Sequence, residues 1–399
     1  MKTVAVIGGS LAGLSAARSL RGQGYEGRLV VVGEELHRPY DRPPLSKEFL
    51  KGTLSEADLA LESDDDRLDA EWLLGARAAG LDLRDRSIRL DDGRTLGVDG
   101  VVVATGAAAR SLPGAPGLAG VHVVRTLDDA RALRQDLARG GRLVVVGGGF
   151  VGAEVASTAR ELGLDVTLVV SGPAPLSGAL GPAMAAAVAP VHADHGVRVL
   201  TGTGVHGVTG TPAAVGVPGR VQAVRLQDGR SIPADIVVVG IGATPHTDWL
   251  LGSGVELDDG VRCWSDGTTN IPEVVAVGDC AAWYEPSLGR HRRVEHWTGA
   301  NERPATAVAA LLSGGTAPFK APRPPYFWSE QYGVRIQFAG HAARADSVTV
   351  EDGSPDDRSF LAVYRRAGEP VAVLGVNRAK LFTRLRKQLA AAAVGAGTA

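Results

Sequence analysis

The chain has 399 residues, of which 45% are hydrophobic and 22% are charged, and its formal net charge is -2. This composition is typical of a globular protein, and the balanced charge excludes a general attraction to nucleic acid or to a membrane surface. No apolar run reaches the roughly 20 residues that a membrane-spanning helix needs. No leader of charged and then apolar residues precedes the first predicted strand, so we expect a cytoplasmic protein.

The first 32 residues predict a strand, a glycine turn, a helix and a second strand, which together make a βαβ unit. Most of the dinucleotide fingerprint G-x-G-x-x-G lies in the turn, with Gly8 and Gly13 at the outer positions and Ser10 in the middle. Serine adds only a small side chain, and its hydroxyl can donate to a phosphate oxygen. We therefore predict a working dinucleotide site, with Glu34 and Glu35 placed after the second strand to bind an adenosine ribose.

A second strand–turn–helix–strand unit occupies residues 141–170, and its fingerprint is intact at Gly147, Gly149 and Gly152. Two such units in one chain indicate two dinucleotides. An acid is expected to close the second strand of an NAD-binding unit, but Val170 stands there, and no arginine lies nearby to bind a 2′-phosphate. The choice between NADH and NADPH is therefore weakly marked, with NADH favoured.

The remaining segments predict the rest of the architecture. The acidic stretch 56–74 is interpreted as a solvated surface segment. The next predicted elements are, in chain order, a strand and glycine turn at 98–107, a helix and strand at 181–200, hairpin strands within 207–245, and a strand at 271–283 that leads to Gly278 and Asp279. Residues 314–326 are rich in Gly and Pro. We predict that four strands, a basic helix at 379–391 and a disordered tail at 393–399 follow them.

Eight short stretches resemble, in order and spacing, the FAD-dependent ferredoxin reductases that supply oxygenases, the putidaredoxin-reductase-like family. They are GGSLAG (8–13), RPYDRPPLSK (38–47), ATGA (104–107), GGGFVGAE (147–154), VVGIGATP (238–245), AVGDCA (276–281), VEHWTGAN (294–301) and YFWSEQYG (326–333). The resemblance implies an α/β fold with two Rossmann-like dinucleotide-binding domains, of the glutathione-reductase type, and a C-terminal α+β domain. The implied division is an FAD-binding domain at 1–108 and 238–318, an NAD(P)H-binding domain at 109–237 and the C-terminal domain at 319–399.

The resemblance also implies the residues of the site. Lys47 is expected over the flavin ring in a pair with Glu154, and a charge beside a buried ring independently needs such a partner. Asp279 is expected to contact the flavin ribityl chain or pyrophosphate. Trp297 is either a core aromatic or a ring near the flavin edge, and with Lys47 and Glu154 it completes the expected catalytic set. The expected cofactor-binding residues are Gly8, Ser10, Ala12, Gly13, Glu34, Glu35, Arg42, Lys47, Ala104, Thr105, Gly106, Gly147, Gly149, Phe150, Val151, Gly152, Glu154, Val170, Gly242, Gly278, Asp279, Glu295, His296 and Trp297.

The implied reaction is hydride transfer from a nicotinamide to FAD, followed by release of the electrons. Disulfide reductases of similar fold have a cysteine pair beside the flavin, but residues 40–50 contain none, and Cys263 and Cys280 lie elsewhere without CxxC spacing. We therefore expect the electrons to leave singly to an iron–sulfur ferredoxin, which supplies a haem monooxygenase or a ring-hydroxylating dioxygenase. The open alternatives are a reductase of quinones or monodehydroascorbate, and a redox-gated interaction protein similar to apoptosis-inducing factors.

The expected cofactors are FAD and NADH, with NADPH possible. No metal is expected, because His192 and His195 lie three residues apart on a predicted helix without a third ligand. We expect neither nucleic acid nor a membrane as a partner, and a monomer or a weak homodimer. A group of basic residues either attracts an acidic ferredoxin or forms a solvated face. These residues are Arg292, Arg293, Arg378, Lys380, Arg384, Arg386 and Lys387.

Overall fold

The structure is a computed structural model that describes residues 1–115, 117–213, 218–314 and 323–395, with side chains as far as residue 391. Its helices are α1 (Leu11–Gly22), α2 (Glu48–Lys51), α3 (Leu127–Leu137), α4 (Phe150–Glu161), α5 (Ser177–Val188), α6 (Pro190–Asp194), α7 (Trp297–Leu312) and α8 (Ala379–Gly395). Its strands are β1 (Thr3–Ile7), β2 (Arg28–Gly33), β3 (Ala70–Leu74), β4 (Ala78–Asp82), β5 (Ser87–Leu90), β6 (Thr95–Gly97), β7 (Gly100–Val103), β8 (Ala107–Ala109), β9 (Val121–His122), β10 (Arg142–Val146), β11 (Asp165–Val170), β12 (Arg198–Thr201), β13 (Val205–Gly210), β14 (Val221–Leu226), β15 (Ser231–Pro233), β16 (Ile236–Val239), β17 (Ala243–Pro245), β18 (Val261–Cys263), β19 (Val274–Ala276), β20 (Ala281–Glu285), β21 (Arg290–Arg293), β22 (Tyr326–Gln331), β23 (Val334–Gly340), β24 (Ser347–Ser354), β25 (Ser359–Arg366) and β26 (Glu369–Val376).

Internal contacts divide the chain into two units. The first unit consists of residues 1–41, 59–108 and 244–325, and the second of residues 42–58, 109–243 and 326–399. The division into an FAD-binding, an NAD(P)H-binding and a C-terminal domain stays a prediction.

The first unit is built on a five-stranded parallel sheet with the strand order β19-β7-β1-β2-β3. Its central strands are almost wholly apolar because both of their faces are buried, which is typical of parallel sheets. The predicted N-terminal βαβ unit is confirmed. The prediction of a solvated surface for residues 56–74 is wrong in part, because β3 pairs with β2 there and Arg18 of α1 donates to Asp66 at 2.8 Å.

Two small sheets complete the first unit. One is antiparallel, with the order β4-β5-β6, and the other has the order β18-β20-β21. Helix α7 packs against α1, where the Ser15 hydroxyl donates to the Asn301 side chain at 3.2 Å. This packing positions the start of α7 in the same unit as the first glycine loop.

The second unit contains a second parallel sheet, with the order β12-β11-β10-β16-β9, which confirms the second predicted strand–helix–strand unit. The predicted hairpin strands form the antiparallel sheet β13-β14-β15, and the turn between its last two strands contains Gly229 at a φ of +87°. Glycine reaches this left-handed region without strain.

The C-terminal part of the second unit is a five-stranded antiparallel sheet with the order β22-β23-β26-β25-β24, and α8 packs on it through Phe382. Helix α8 continues to Gly395, so the predicted disorder from residue 393 is wrong for 393–395, and 396–399 lie outside the described residues. Most of the Gly- and Pro-rich segment 314–326 also lies outside them. The predicted fold class, two parallel-sheet units and an α+β region, is confirmed.

Within the described ranges, every helix is too short or too polar to cross a membrane.

Candidate functional site

The first glycine loop joins β1 to α1 and leaves no room for side chains at its outer positions. Gly8 has a φ of +125°, and a Cβ added to it would lie 2.0 Å from the carbonyl oxygen of Ala104. A Cβ on Gly13 would lie 1.8 Å from the carbonyl oxygen of Gly8. The loop therefore requires glycine at both positions, and the first turn of α1 presents unpaired N–H groups that favour an anion.

Ser10 is the residue that departs from the fingerprint, and its backbone explains why it is tolerated. It is the N-cap of α1, with φ and ψ of -109° and -161°, which is extended backbone that any residue adopts. Its side chain is partly exposed and makes no capping hydrogen bond to the helix. The middle position of this loop therefore tolerates a small polar side chain.

Two further turns of the first unit lie against this loop. Gly278 has a φ of +72°, and a Cβ on it would lie 2.8 Å from Cβ of Ala12, which brings Asp279 close to the start of α1. The turn after Ala104 is held by the Thr105 hydroxyl, which donates to the carbonyl of His246 at 2.6 Å. The amide of His246 in turn donates to the carbonyl of Gly106 at 3.0 Å.

The structure distinguishes the two acids that follow β2. The Glu35 carboxylate accepts a hydrogen bond from the Tyr40 hydroxyl within its own loop. The Glu34 side chain is 58% exposed, and its carboxylate lies 3.8 Å from Nη1 of Arg77. Glu34 therefore remains accessible at the end of β2, whereas Glu35 helps to hold the loop.

Three expected site residues lie together where α7 begins. His296 is the N-cap of this helix, and Glu295 pairs with Arg293. Trp297 is half-buried, and its indole N–H donates to Asp41 at 2.8 Å. Trp297 is thus only partly buried, and its expected place near the flavin edge stays a prediction.

The second glycine loop, between β10 and α4, repeats the construction of the first. A Cβ on Gly147, which has a φ of +109°, would lie 2.1 Å from the carbonyl oxygen of Gly240. A Cβ on Gly152 would lie 2.2 Å from the carbonyl oxygen of Gly147, whereas one on Gly149 would meet no atom within 4 Å. Gly242, at a φ of +100°, follows in the adjacent loop and accepts a hydrogen bond from the amide of Arg110 at 3.0 Å.

Apolar side chains line the second loop. Val170, which is 6% exposed, lies at the end of β11, and a Cβ on Gly148 would lie 2.8 Å from its Cγ2. At the start of α4, Val151 is 40% exposed, and the Phe150 ring contacts Phe327 at 4.2 Å between centroids. The position where an acid is expected to close the second strand of an NAD-binding unit is thus occupied by a buried valine.

Lys47 and Glu154 form a buried ion pair in the second unit. The Lys47 ammonium lies 3.0 Å from Oε2 of Glu154 and also donates to the carbonyl of Pro43 at 2.8 Å. The two side chains are 10% and 7% exposed. Arg42, in the same segment, donates through Nη1 to the carbonyl of Arg125. The structure thus places Lys47 and Glu154 together, as the resemblance implies.

Three hydroxyl contacts around this pair are not apparent from the sequence. The Ser46 hydroxyl donates to Oε2 of Glu154, and the Ser329 hydroxyl donates to Oε1 at 2.8 Å. The Thr158 hydroxyl, one turn further along α4, donates to the carbonyl of Ser46 at 2.9 Å. No local pattern points to these serines, because each is an ordinary residue whose role depends on a partner more than 100 positions away.

His192 and His195 form hydrogen bonds within the second unit, and both cysteines are buried. His192 is buried, and its Nδ1 pairs with the Tyr332 hydroxyl at 2.9 Å, while Nδ1 of His195 pairs with the carbonyl of Val191 at 2.8 Å. Cys263 and Cys280 are both buried and unbridged. Burial raises the pKa of both thiols, so neither is a reactive thiolate at neutral pH.

Comparison with known proteins agrees with this geometry. Residues 2–313 match the sequence profile of the pyridine nucleotide-disulphide oxidoreductases, and residues 326–396 match that of the reductase C-terminal domain. The chain is 40% identical to the ferredoxin–NAD(+) reductase subunit of the benzene 1,2-dioxygenase system of Pseudomonas putida, over 84% of this chain and 80% of the relative. It is 37% identical to the corresponding component of the biphenyl dioxygenase system of Paraburkholderia xenovorans, over 96% of this chain and 91% of the relative.

A solved structure extends the match to three dimensions. The crystal structure of the covalent putidaredoxin reductase–putidaredoxin complex superimposes with a TM-score of 0.90 at 32% identity, covering 98% of this chain and 93% of the other. Family profile, relatives and fold therefore agree. The chain belongs to the pyridine nucleotide-disulphide oxidoreductase family, among the ferredoxin reductases related to putidaredoxin reductase.

Proposed function

We propose that this protein transfers electrons from NADH, through bound FAD, to an iron–sulfur ferredoxin that supplies an oxygenase. The observation that supports this most directly is the combination of two dinucleotide loops with two buried, unbridged thiols, the only cysteines of the chain. Such a chain has no disulfide of its own to reduce, so electrons leave to a separate acceptor. Relatives named as reductases of ferredoxins support an iron–sulfur protein in that role.

FAD is assigned to the first loop. The close approach of the Gly8 backbone to Ala104, and the free N–H groups of α1, suit a pyrophosphate that must lie near the main chain. Glu34 is assigned to the adenosine ribose, and Asp279 to the ribityl chain or the pyrophosphate. The expected neighbours Thr105, Gly106, Glu295, His296 and Trp297 belong to the same unit.

NADH is assigned to the second loop, whose construction around Gly147 and Gly152 suits a second pyrophosphate. The Val170 side chain cannot accept a hydrogen bond from a ribose hydroxyl, and it carries no charge that would repel a 2′-phosphate. NADPH is therefore disfavoured only by the lack of a cation for its phosphate. NADH is the preferred reductant, with modest discrimination.

Lys47 and Glu154 are assigned to the nicotinamide reaction. FAD, when bound, would supply the redox chemistry that links a two-electron donor such as NADH to a one-electron acceptor. The chain supplies a lysine ammonium whose position is fixed by a carboxylate and a carbonyl, in a place that largely excludes water. A charge fixed in this way keeps its orientation at low solvent screening, which strengthens its effect on a neighbouring ring.

A stripe of positive charge on α8 is assigned to the encounter with ferredoxin. Lys380, Arg384 and Lys387 are exposed and spaced i, i+4 and i+7, so they share one helix face. Other members of the predicted basic group are engaged: Arg386 stacks on the Tyr326 ring at 3.7 Å, and Arg293 pairs with Glu295 and Asp259. We define Lys380, Arg384 and Lys387 as the basic stripe.

The proposed location is the cytoplasm, the compartment that holds a pool of NADH and keeps thiols such as Cys263 and Cys280 reduced. A monomer or weak homodimer is proposed as the assembly state. Neither nucleic acid nor a membrane is proposed as a partner.

The experiment that tests the function is an acceptor panel with the FAD-loaded protein. NADH and NADPH are each combined with a [2Fe–2S] ferredoxin coupled to cytochrome c, with a quinone and with ferricyanide. We expect kcat/KM to be highest for NADH with the ferredoxin. Rapid quinone reduction without ferredoxin reduction would instead support a small-acceptor reductase, and slow turnover with every acceptor would support a redox-gated interaction protein.

Charge reversal of the basic stripe tests the docking surface. Replacing Lys380 and Arg384 by Glu is expected to raise KM for ferredoxin several-fold and to abolish its dependence on salt, because exposed charges act over roughly 8 Å at physiological ionic strength. Ferricyanide reduction stays constant. Glu substitution of Arg225, an exposed arginine on β14, is the matched control. Equal effects on both acceptors would assign the stripe to solvation alone.

A further inference from the structure

Strand β22 and the residue that follows it contact helix α4 at three points. Phe327 contacts Phe150, Ser329 donates to Glu154, and the amide of Tyr332 donates to the Ser157 hydroxyl at 2.7 Å. The first step spans two strand residues, about 6.6 Å, and four helix residues, about 6 Å. Over this step the strand advances about as far as the helix, so Ser329 lies opposite Glu154.

Glu154 accepts hydrogen bonds on both carboxylate oxygens. Oε2 accepts from Ser46 and Lys47, and Oε1 accepts from Ser329. The first two donors are adjacent in sequence and hold one oxygen only. Among the described residues, Ser329 is the donor that holds the other oxygen, and it thereby fixes the rotation of the carboxylate about its last bond.

Gln331 fixes the direction of the Ser329 hydrogen bond. Its Nε2 donates to the Ser329 oxygen at 3.1 Å, which leaves the hydroxyl proton free to point to Glu154. Both side chains are essentially inaccessible to solvent. The amide oxygen of Gln331 is buried and finds no hydrogen-bond partner in the described part of the chain, so the amide retains this orientation at the cost of one acceptor.

We propose that Ser329, supported by Gln331, is a positioning residue for the Lys47–Glu154 pair, so that the C-terminal sheet sets the orientation of the lysine ammonium. The chain of contacts runs from Gln331 through Ser329 and Glu154 to Lys47 without a gap longer than 3.1 Å. All four residues are less than 10% exposed, so water does not replace a missing donor readily. The inference rests on the proposed role of the pair in the nicotinamide reaction.

The first test is a double-mutant cycle on the full-length, FAD-loaded protein. Ser329→Ala is expected to lower the rate constant of flavin reduction by NADH about tenfold, the scale of one hydrogen bond to a charged group, while Kd for NADH changes less than about twofold. In a Glu154→Gln background the same substitution has no further effect, because Ser329 acts on Lys47 only through the Glu154 carboxylate. The matched control is Gln337→Leu, which removes a buried hydrogen bond to Tyr326 on the other face of the same sheet and leaves the rate unchanged.

The second test does not depend on turnover. Lysines are acylated with an amine-selective reagent, and the rate at each site is followed by mass spectrometry. In Ser329→Ala the rate at Lys47 rises at least about threefold because its carboxylate partner is released, while the rates at Lys51 and Lys380 stay constant. Gln331→Leu is expected to give a smaller rise at Lys47 and serves if Ser329→Ala fails to fold.

The outcomes distinguish failure of the positioning role of Ser329 from failure of the proposed function of the Lys47–Glu154 pair. Additive effects of Ser329→Ala and Glu154→Gln, or unchanged acylation of Lys47, would overturn the positioning role. If Glu154→Gln itself leaves flavin reduction unchanged while Ser329→Ala still exposes Lys47, the positioning role holds and the proposed function of the pair fails.

Discussion

The two glycine loops have the same backbone and different surroundings at the end of the following strand. In both, the first glycine has a φ above +100° and lies against a backbone carbonyl of a neighbouring segment, and the last lies against the carbonyl of the first. In both, the middle residue is the helix N-cap in extended conformation, Ser10 in one loop and Gly149 in the other. The parts that would meet a pyrophosphate are therefore equivalent.

The loops differ where an adenosine ribose is expected. In the first sheet Ile7 pairs with Val32, and in the second Val146 pairs with Val169. This register makes Gly33 equivalent to Val170, and Glu34 equivalent to Ser171. The first loop thus has an exposed acid near the ribose position, and the second has a buried valine followed by serine. Pyrophosphate binding depends on backbone geometry that repeats, whereas ribose recognition depends on side chains that vary independently.

The largest expected effects come from adding a methyl group to the first glycine of each loop. Gly8→Ala is expected to prevent FAD retention, and Gly147→Ala to keep FAD but weaken NADH at least about 100-fold, roughly 2.7 kcal/mol. Each new Cβ would lie about 2 Å from a carbonyl oxygen. Flavin absorbance and NADH titration measure the two effects, and Gly149→Ala, with no atom within 4 Å, is the control. Loss of FAD from Gly147→Ala alone would reverse the assignment of the loops.

Substitutions in the Lys47–Glu154 ion pair are expected to slow flavin reduction without releasing FAD. Lys47→Ala and Glu154→Ala should slow flavin reduction by NADH about 10- to 100-fold, because each leaves a buried charge without its partner, and should change FAD retention little. Rapid-mixing absorbance measures the rate. Lys51→Ala is the matched control, since Lys51, at the end of α2, pairs with Glu161 of α4 at an exposed position. A similar loss in all three variants would indicate a structural role for the pair.

A carboxylate at the end of β11 should make the second loop more selective. The protein itself is expected to prefer NADH over NADPH by less than about tenfold, and Val170→Glu to raise this ratio about tenfold, because the new charge accepts from the ribose hydroxyl and repels a 2′-phosphate. The ratio of kcat/KM values measures it. Val170→Leu keeps the apolar contact with Gly148 and should leave the ratio unchanged. A preference of the unaltered protein for NADPH would contradict the prediction.

The smallest effects are expected from exchanging the middle residues. Ser10→Gly and Gly149→Ser should each change nucleotide affinity by less than about twofold, because both positions have extended backbone and space for a side chain. Isothermal titration with FAD or NADH measures the change. A large loss in Ser10→Gly would mean that its hydroxyl binds phosphate strongly.

The sequence alone was sufficient to predict the features that depend on short local patterns. Both loops follow from glycine spacing between an apolar strand and a helix, and the tolerance of Ser10 follows from the small size of its side chain. Glu34 and Glu35 could not be distinguished, because the difference depends on the Tyr40 hydroxyl, which reaches one of them only in the folded loop.

Features that depend on distant partners could not be predicted. Strand β3 lies within an acidic segment, yet its residues pair with β2 because a parallel sheet offers a free edge there. Ser329 acquires its contact with Glu154 from a partner 175 positions away in sequence, and no periodicity encodes that distance. The three-domain division of the chain still awaits a test, for example by limited proteolysis.

The pairing of β7 with β19 has a consequence for synthesis of the protein on the ribosome. About 170 residues separate Val103 from Val274, and the second unit's parallel sheet is made in between. At 5–20 residues per second, the N-terminal strands wait roughly ten to thirty seconds with one sheet edge unpaired and without the Gly278 turn that packs on Ala12. The sheet of the nascent chain is therefore exposed to aggregation in this interval, and the parallel sheet of the second unit has time to form before the earlier sheet is complete.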